Sequence, residues 1–263
     1  MFTAENYVLA ESLEQAYELN KGRTSTIVGG MLWLKMNQKK YKTLIDLGGL
    51  GLNKIEENEE EFSVGCMTTL RQLELHESLN ETFDGAFKKA VEHIVGVQFR
   101  NGATVGGSVY GRYGFSDVLT LLMALDSYVE LYKGGIMSIE EYSKMAYDND
   151  IVVRIIVKKN DAKVSYLTQR LSETDFPILA CAVAKTLEGW KIAVGARPKK
   201  AVLAEQNLSS EPTKDEVELV KKTIADNLSF ESNMRGSDKY RQVLCSVLVG
   251  RAIDEIMGGT YGN

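Results

Sequence analysis

Along the first fifty residues the spacing of apolar positions changes character several times. Leu13, Ala16 and Leu19 recur at helical spacing behind Ser12, which can form a capping box with Gln15, and Gly22 is a natural stop. Residues 24–28 (TSTIV) are short, β-branched and followed by Gly29-Gly30, the pattern of a strand running into a glycine turn. An apolar stretch of Leu32, Trp33, Leu34 and Met36 follows, and 41–47 (YKTLIDL) is a second strand candidate. Residues 53–64 predict a hairpin, with Ile55 and Phe62 flanking an acidic, solvated tip at 56–61. Two helices are expected over 68–78 and 82–95, an irregular glycine-punctuated segment over 98–109, a helix over 117–124, and a strand over 128–132.

The pattern shifts near residue 148. All three prolines lie beyond it, and 151–157 (IVVRIIV) is a β-rich run. Strands are expected over 178–187 and 190–194 with a turn at Glu188-Gly189. Thr213 and Glu216 make a second capping box, and a long helix is expected over about 237–256, with Tyr240, Val243, Leu244, Val247, Leu248, Ala252 and Ile256 on its apolar side. The expected division is therefore 1–149, itself split near 52, and 150–263.

Composition narrows the function classes. The chain has 263 residues, 44% hydrophobic and 25% charged, enough to build its own cores. A net charge of −5 argues against nucleic acid, whose partners carry basic patches. No apolar run is long enough for a membrane span, and the N-terminus lacks the basic and apolar regions of a secretory signal. Cys66, Cys181 and Cys245 are dispersed and odd in number, which fits buried thiols in a reducing cytoplasm. With only His76 and His93 besides, neither a zinc site nor an iron–sulfur cluster, which need about four close ligands, is expected in this chain.

Two glycine pairs carry the candidate chemistry: Ile27-Val28-Gly29-Gly30-Met31 and Ala103-Thr104-Val105-Gly106-Gly107-Ser108. A glycine pair after a strand lets backbone N–H groups approach a phosphate, and a Cβ at Gly30 or Gly107 would push that backbone away. Neither pair fits the GxGxxG or GxxxxGK[ST] fingerprints. Three further motifs stand in order with them: 64–70 (VGCMTTL), 116–119 (SDVL) and 235–241 (RGSDKYR), with Arg100-Asn101-Gly102 leading the second pair.

With these five motifs in register the chain resembles the FAD-binding subunit of molybdenum hydroxylases, the family of xanthine dehydrogenase and carbon monoxide dehydrogenase. It is most similar to the short xanthine-dehydrogenase-like members encoded beside selenium- or molybdenum-dependent hydroxylases. The resemblance implies an α+β fold. Two subdomains of vanillyl-alcohol-oxidase (PCMH-like) type would sandwich non-covalent FAD. A small C-terminal domain with a three-stranded sheet and helices would follow.

It also implies a cofactor site made of Ile27, Val28, Gly29, Gly30, Met31, Leu32, Trp33, Ile94, Ala103, Thr104, Gly106, Gly107, Ser108, Asp117 and Val152. No catalytic residue and no metal ligand is expected within it. Asp117 fits a flavin contact or a helix cap, Arg100 a pyrophosphate contact or a structural ion pair, and Trp33 a ring stack or the core. Ile94 and Val152 fit ring contact or core packing equally. The implied partners are a molybdopterin-binding catalytic subunit and a [2Fe–2S] subunit, with electrons passing to FAD and on to NAD⁺ or another acceptor. Met31-Leu32 replaces the family's usual Thr-Asp, and the loop 110–115 (YGRYGF) is more aromatic than usual and lacks its proline. That departure keeps open a flavin-free assembly or maturation subunit. A free-standing FAD oxidase is disfavoured, since no substrate domain and no attachment histidine are evident.

Overall fold

The computed structural model describes residues 2–22 and 24–259, so residues 260–263 of the expected C-terminal domain lie outside the described residues. The chain opens with β1 (Thr3–Leu9), α1 (Leu13–Asn20), β2 (Ser25–Val28) and β3 (Lys40–Asp46). These strands form a parallel sheet in the order β1-β3-β2. Ser12 caps α1 as expected, accepting from the Gln15 N–H. The strand β1 was not expected: nearly all of its side chains are exposed, so its sequence lacks the alternation that marks a half-buried strand.

A second, antiparallel sheet has the order β4-β5-β8-β6-β7. It comprises β4 (Ile55–Glu57), β5 (Glu61–Gly65), β6 (Ser127–Leu131), β7 (Gly135–Ser138) and β8 (Val152–Lys158). The expected hairpin is β4–β5, with Ile55 opposite Val64. The run 151–157 was expected to open the C-terminal domain. It pairs with β5 on one side and β6 on the other, and so is the middle strand of this sheet. Its apolar character, broken only by Arg154, suits a strand flanked on both edges, which is why it reads like the strands beyond it.

Between β5 and β6 come six helices: α2 (Leu70–Leu75), α3 (Glu77–Thr82), α4 (Ala86–Val91), α5 (Val97–Gly102), α6 (Val105–Tyr110) and α7 (Asp117–Ala124). The two longer helices expected here are cut into three. His76 caps α3 through Nδ1, and Asp84 and Gly85 sit at φ +51° and +74° before α4. The segment expected to be irregular is α5 and α6, too short and glycine-rich to show a helical period. The helix α8 (Ile139–Lys144) follows β7.

The C-terminal sheet has the order β12-β11-β10-β9, formed by β9 (Lys163–Gln169), β10 (Leu179–Thr186), β11 (Gly189–Gly195) and the two-residue edge β12 (Val202–Leu203). Of these, β10 and β11 answer to the strands expected at 178–187 and 190–194, while β9 and the short edge β12 had not been read from the sequence. The helices α9 (Lys214–Asn227) and α10 (Asp238–Ile256) cover one face. Alternation in β10 explains how the halves join. Leu179, Cys181 and Val183 enter the core under α9 and α10, while Ala180, Ala182 and Ala184 enter the main core. Small side chains on that face let α7 pack close. All eight residues of α7 are buried, so it is wedged between the two halves.

Candidate functional site

A cleft of about 690 Å³ opens where the turn after β2, the start of α6, the loop before α7 and the segment after β9 meet. All the expected site residues line it except Gly106 and Val152. Gly106 lies beneath the wall, where a Cβ would come within 2.7 Å of Cys66 Cβ. Val152 is 6% exposed in the core of the second sheet.

The two glycine pairs have different jobs. Thr104 caps α6, and its Oγ1 accepts from the Gly107 N–H at 3.2 Å. The Val105 N–H donates to Thr68 O and that of Gly106 to Cys66 O, both at 2.8 Å. Every N–H of this first helical turn is thus held within the protein, leaving the Thr104 hydroxyl proton as its free donor. In the first pair, by contrast, no described hydrogen bond uses the N–H of Gly30, Met31, Leu32, Trp33 or Leu34. Met31 stands at φ +57°, an uncommon conformation for a side-chain-bearing residue, which bends this run of donors into a nest. The glycines interlock the turns: a Cβ on Gly30 would lie 1.5 Å from Gly102 O, and one on Gly29 would lie 2.4 Å from Thr104 Oγ1.

Beside the nest is an aromatic wall. The Trp33 indole, 37% exposed and so not a core residue, stacks on Phe176 at 5.6 Å and 27° and meets Phe99 at 5.6 Å. Phe115 packs on Phe176 at 4.5 Å and on Tyr113 at 5.1 Å. Arg112 anchors this loop from below. It is 2% exposed, sits between the rings of Tyr142 and Tyr147 at 4.1 and 4.8 Å, and donates to Met145 O.

Asp117 does not cap its helix; Ser116 does, accepting from the Leu119 N–H at 3.1 Å. Instead Asp117 Oδ1 accepts from the Tyr166 hydroxyl at 2.7 Å and from Arg170 Nη2 at 2.6 Å. Burial pushes the Asp117 carboxyl above the ordinary aspartate range, and the Arg170 charge opposes it. Tyr166 is raised too, first by burial and then by the neighbouring carboxylate. Arg100 is a structural ion pair outside the cleft, bonding Glu74 at 2.7 and 3.2 Å. Burial works to raise the Glu74 carboxyl, but Arg100 and Arg71 outweigh it and hold it below 4.5. Because the folded carboxyl is depressed, its contribution to stability is full above pH 4.5 and is lost as pH falls through the folded value. Urea midpoints measured from pH 6 downwards should therefore fall through the acid range less steeply in Glu74→Gln than in the wild type. Parallel curves would show that the network is not linked to folding.

Arg170, Asp175 and Phe176 were not expected at the site. They come from a polar segment after β9, and no local pattern ties them to the two glycine turns, which lie some 60 and 140 residues earlier. Phe99, Tyr113, Phe115 and Lys39 were likewise missed as lining residues.

Two subdomains meeting at a nest of unpaired donors, with an aromatic wall alongside, define a protein that binds a dinucleotide cofactor. The chain belongs to the family of FAD-binding domains in molybdopterin dehydrogenases: residues 2–159 match that family model, and residues 165–256 match the CO dehydrogenase flavoprotein C-terminal domain. It is accordingly an FAD-binding oxidoreductase subunit of molybdenum-hydroxylase type. It is 26% identical over 256 residues to the protein YgfM of Escherichia coli K12, covering 93% of each chain. It is 26% identical over 277 residues to the glyceraldehyde dehydrogenase medium chain of Sulfolobus acidocaldarius, covering 95% of this chain and 98% of the other. The fold matches a chain of quinoline 2-oxidoreductase from Pseudomonas putida 86 with a TM-score of 0.85 at 18% identity over 99% of both. Among the described residues no helix is long and apolar enough to cross a membrane.

Proposed function

We propose that the cleft holds FAD non-covalently and that the chain relays electrons within a larger assembly. The N–H groups of residues 30–34 carry this reading, since five donors in one turn suit a pyrophosphate and have no acceptor among the described residues. Lys39 adds positive charge to the lining, and the Thr104 hydroxyl lies against the Gly29 turn. The volume falls within the roughly 300–1,000 Å³ of small-molecule and cofactor sites. Trp33, Phe115 and Phe176 suit one face of an isoalloxazine ring, and the Asp117–Arg170 pair supplies fixed polar groups at its edge. When bound, FAD supplies one- and two-electron redox chemistry; the protein supplies position, polarity and exclusion of water.

Electrons would enter from [2Fe–2S] clusters in one partner subunit, after substrate is oxidised at molybdenum in another, and leave to NAD⁺ or a different acceptor. The family's association with molybdopterin dehydrogenases supports this route. We place the division of the chain after β8, between 159 and 165, where the two family models part. Neither a cysteine nor a histidine is among the residues lining the cleft, and burial pushes the Cys66 thiol up to about 12, so a covalent link through sulfur or imidazole is disfavoured. Acid precipitation should therefore release yellow FAD into the supernatant. Flavin retained in the pellet would refute the non-covalent reading. Reconstitution that never yields a flavin spectrum would favour a flavin-free assembly subunit, the reading that Met31-Leu32 keeps open.

A further inference from the structure

The motif 235–241, which carries part of the family resemblance, lies outside the cleft lining and has a role that can be built from its contacts. Arg241, 1% exposed, is committed entirely to its surroundings. Its Nε donates to Ile178 O at 2.8 Å, its Nη1 to Glu231 O and Gly236 O at 2.7 and 2.5 Å, and its Nη2 to Asn233 Oδ1 at 2.7 Å. One guanidinium thus ties the loop before α10 to the residue that leads into β10. The tip is closed by reciprocal backbone hydrogen bonds between Asn233 and Gly236 at 3.0 and 3.2 Å. Gly236 permits the fit, because a Cβ there would stand 3.2 Å from Ile178 Cγ2.

From this braced loop Arg235 reaches back over the segment that borders the cleft. Its Nε and Nη2 donate to Asp175 Oδ1 at 3.2 and 3.0 Å, and its guanidinium lies 4.8 Å over the Phe176 ring. The Asp175 carbonyl accepts from Arg170 Nη1 at 2.6 Å, so the contacts continue to Asp117. Phe176 is the C-terminal half's ring in the aromatic wall; Trp33, Phe99 and Phe115 come from the N-terminal half.

We propose that residues 235–241 are a clamp that sets Phe176 against Trp33, making Arg235 a positioning residue for the flavin ring with Arg241 as its anchor. The use of the clamp rests on the FAD reading above; the clamp itself does not. The Arg235 and Asp175 side chains are each 25% exposed, and such pairs add little to folding. The contribution of Arg235 therefore falls on where Phe176 stands rather than on whether the chain folds.

The test uses the full chain with Trp190→Phe, which leaves Trp33 as the only tryptophan. Arg235→Ala should make Trp33 more accessible to acrylamide in the FAD-free protein, weaken FAD binding about three- to tenfold, and leave the urea midpoint unmoved. Arg235→Lys should restore part of the affinity, and Arg235→Ala combined with Phe176→Ala should bind no worse than Phe176→Ala alone. Unchanged Trp33 quenching overturns the clamp. Unchanged FAD affinity, additive losses, or a fallen urea midpoint that lysine does not rescue overturns its role toward the ring. A wild-type protein that binds no FAD sinks the flavin reading, while Trp33 quenching still decides the clamp.

Discussion

Asp117→Ala is expected to destabilise the FAD-free protein by about 3–5 kcal/mol, well beyond the roughly 0.5–2 kcal/mol of a lost helix cap. The capping is done by Ser116, so that contribution survives the substitution. What is lost is the anion facing Arg170, whose side chain is 7% exposed against 4% for Asp117. The guanidinium keeps its bonds to Asp175 O and Thr168 Oγ1 but is left charged in a buried place. Tyr166, 3% exposed, loses its acceptor at the same time. Asp117→Asn keeps an acceptor for the tyrosine and should cost less. Asp117→Leu with Arg170→Met removes both charges at similar volume and should recover most of the loss, because the desolvation penalty goes with them. Urea unfolding of these variants separates the contributions. FAD titration of the apolar double variant then isolates function, and affinity should stay at least tenfold weaker although the fold is restored. A double variant no more stable than Asp117→Ala would show that the pair is not the source of the loss. Wild-type FAD affinity in the double variant would remove Asp117 from the flavin site.

How much of this was legible beforehand depended on how far apart in sequence each contact lies. The cap at Ser12, the hairpin with Ile55 opposite Val64, and the capping box of Thr213 and Glu216 are contacts within about ten residues, and their residue types carry them. The strand 151–157 was recognised as a strand, but not the sheet it joins, since its partners β5 and β6 lie some 25 to 95 residues earlier. In the site, the glycine pairs announced a cradle. They did not say which pair keeps its donors free, because that depends on Thr68 and Cys66 O accepting from the second one. Arg170 and Phe176 were invisible for the same reason. A polar loop residue becomes a buried ion-pair partner only once α7 is wedged against β9 and β10.

The largest effect on cofactor binding is expected from Gly30→Val. The added Cβ would sit 1.5 Å from Gly102 O and 2.4 Å from Gly102 C, and neither can move aside as a flexible side chain would. The turn after β2 must therefore separate from the loop between α5 and α6, carrying the unpaired donors of residues 30–34 with it. FAD affinity should fall by more than about a hundredfold, equivalent to roughly 2.7 kcal/mol. Overpacking at this contact should also cost about 1–3 kcal/mol of stability. Gly107→Val is the control within the same cleft. Its Cβ meets only Thr104 Oγ1, at 3.1 Å, and the N–H groups around it are already bonded within the protein. It should bind FAD more weakly than the wild type, through bulk at the wall, but far better than Gly30→Val, with a smaller loss of stability. Isothermal titration with FAD and urea unfolding of both variants decide the order. Near-native affinity in Gly30→Val would mean that the turn after β2 is not the pyrophosphate cradle. Equal losses in the two variants would mean that both glycine pairs hold the cofactor alike, against the different use of their N–H groups.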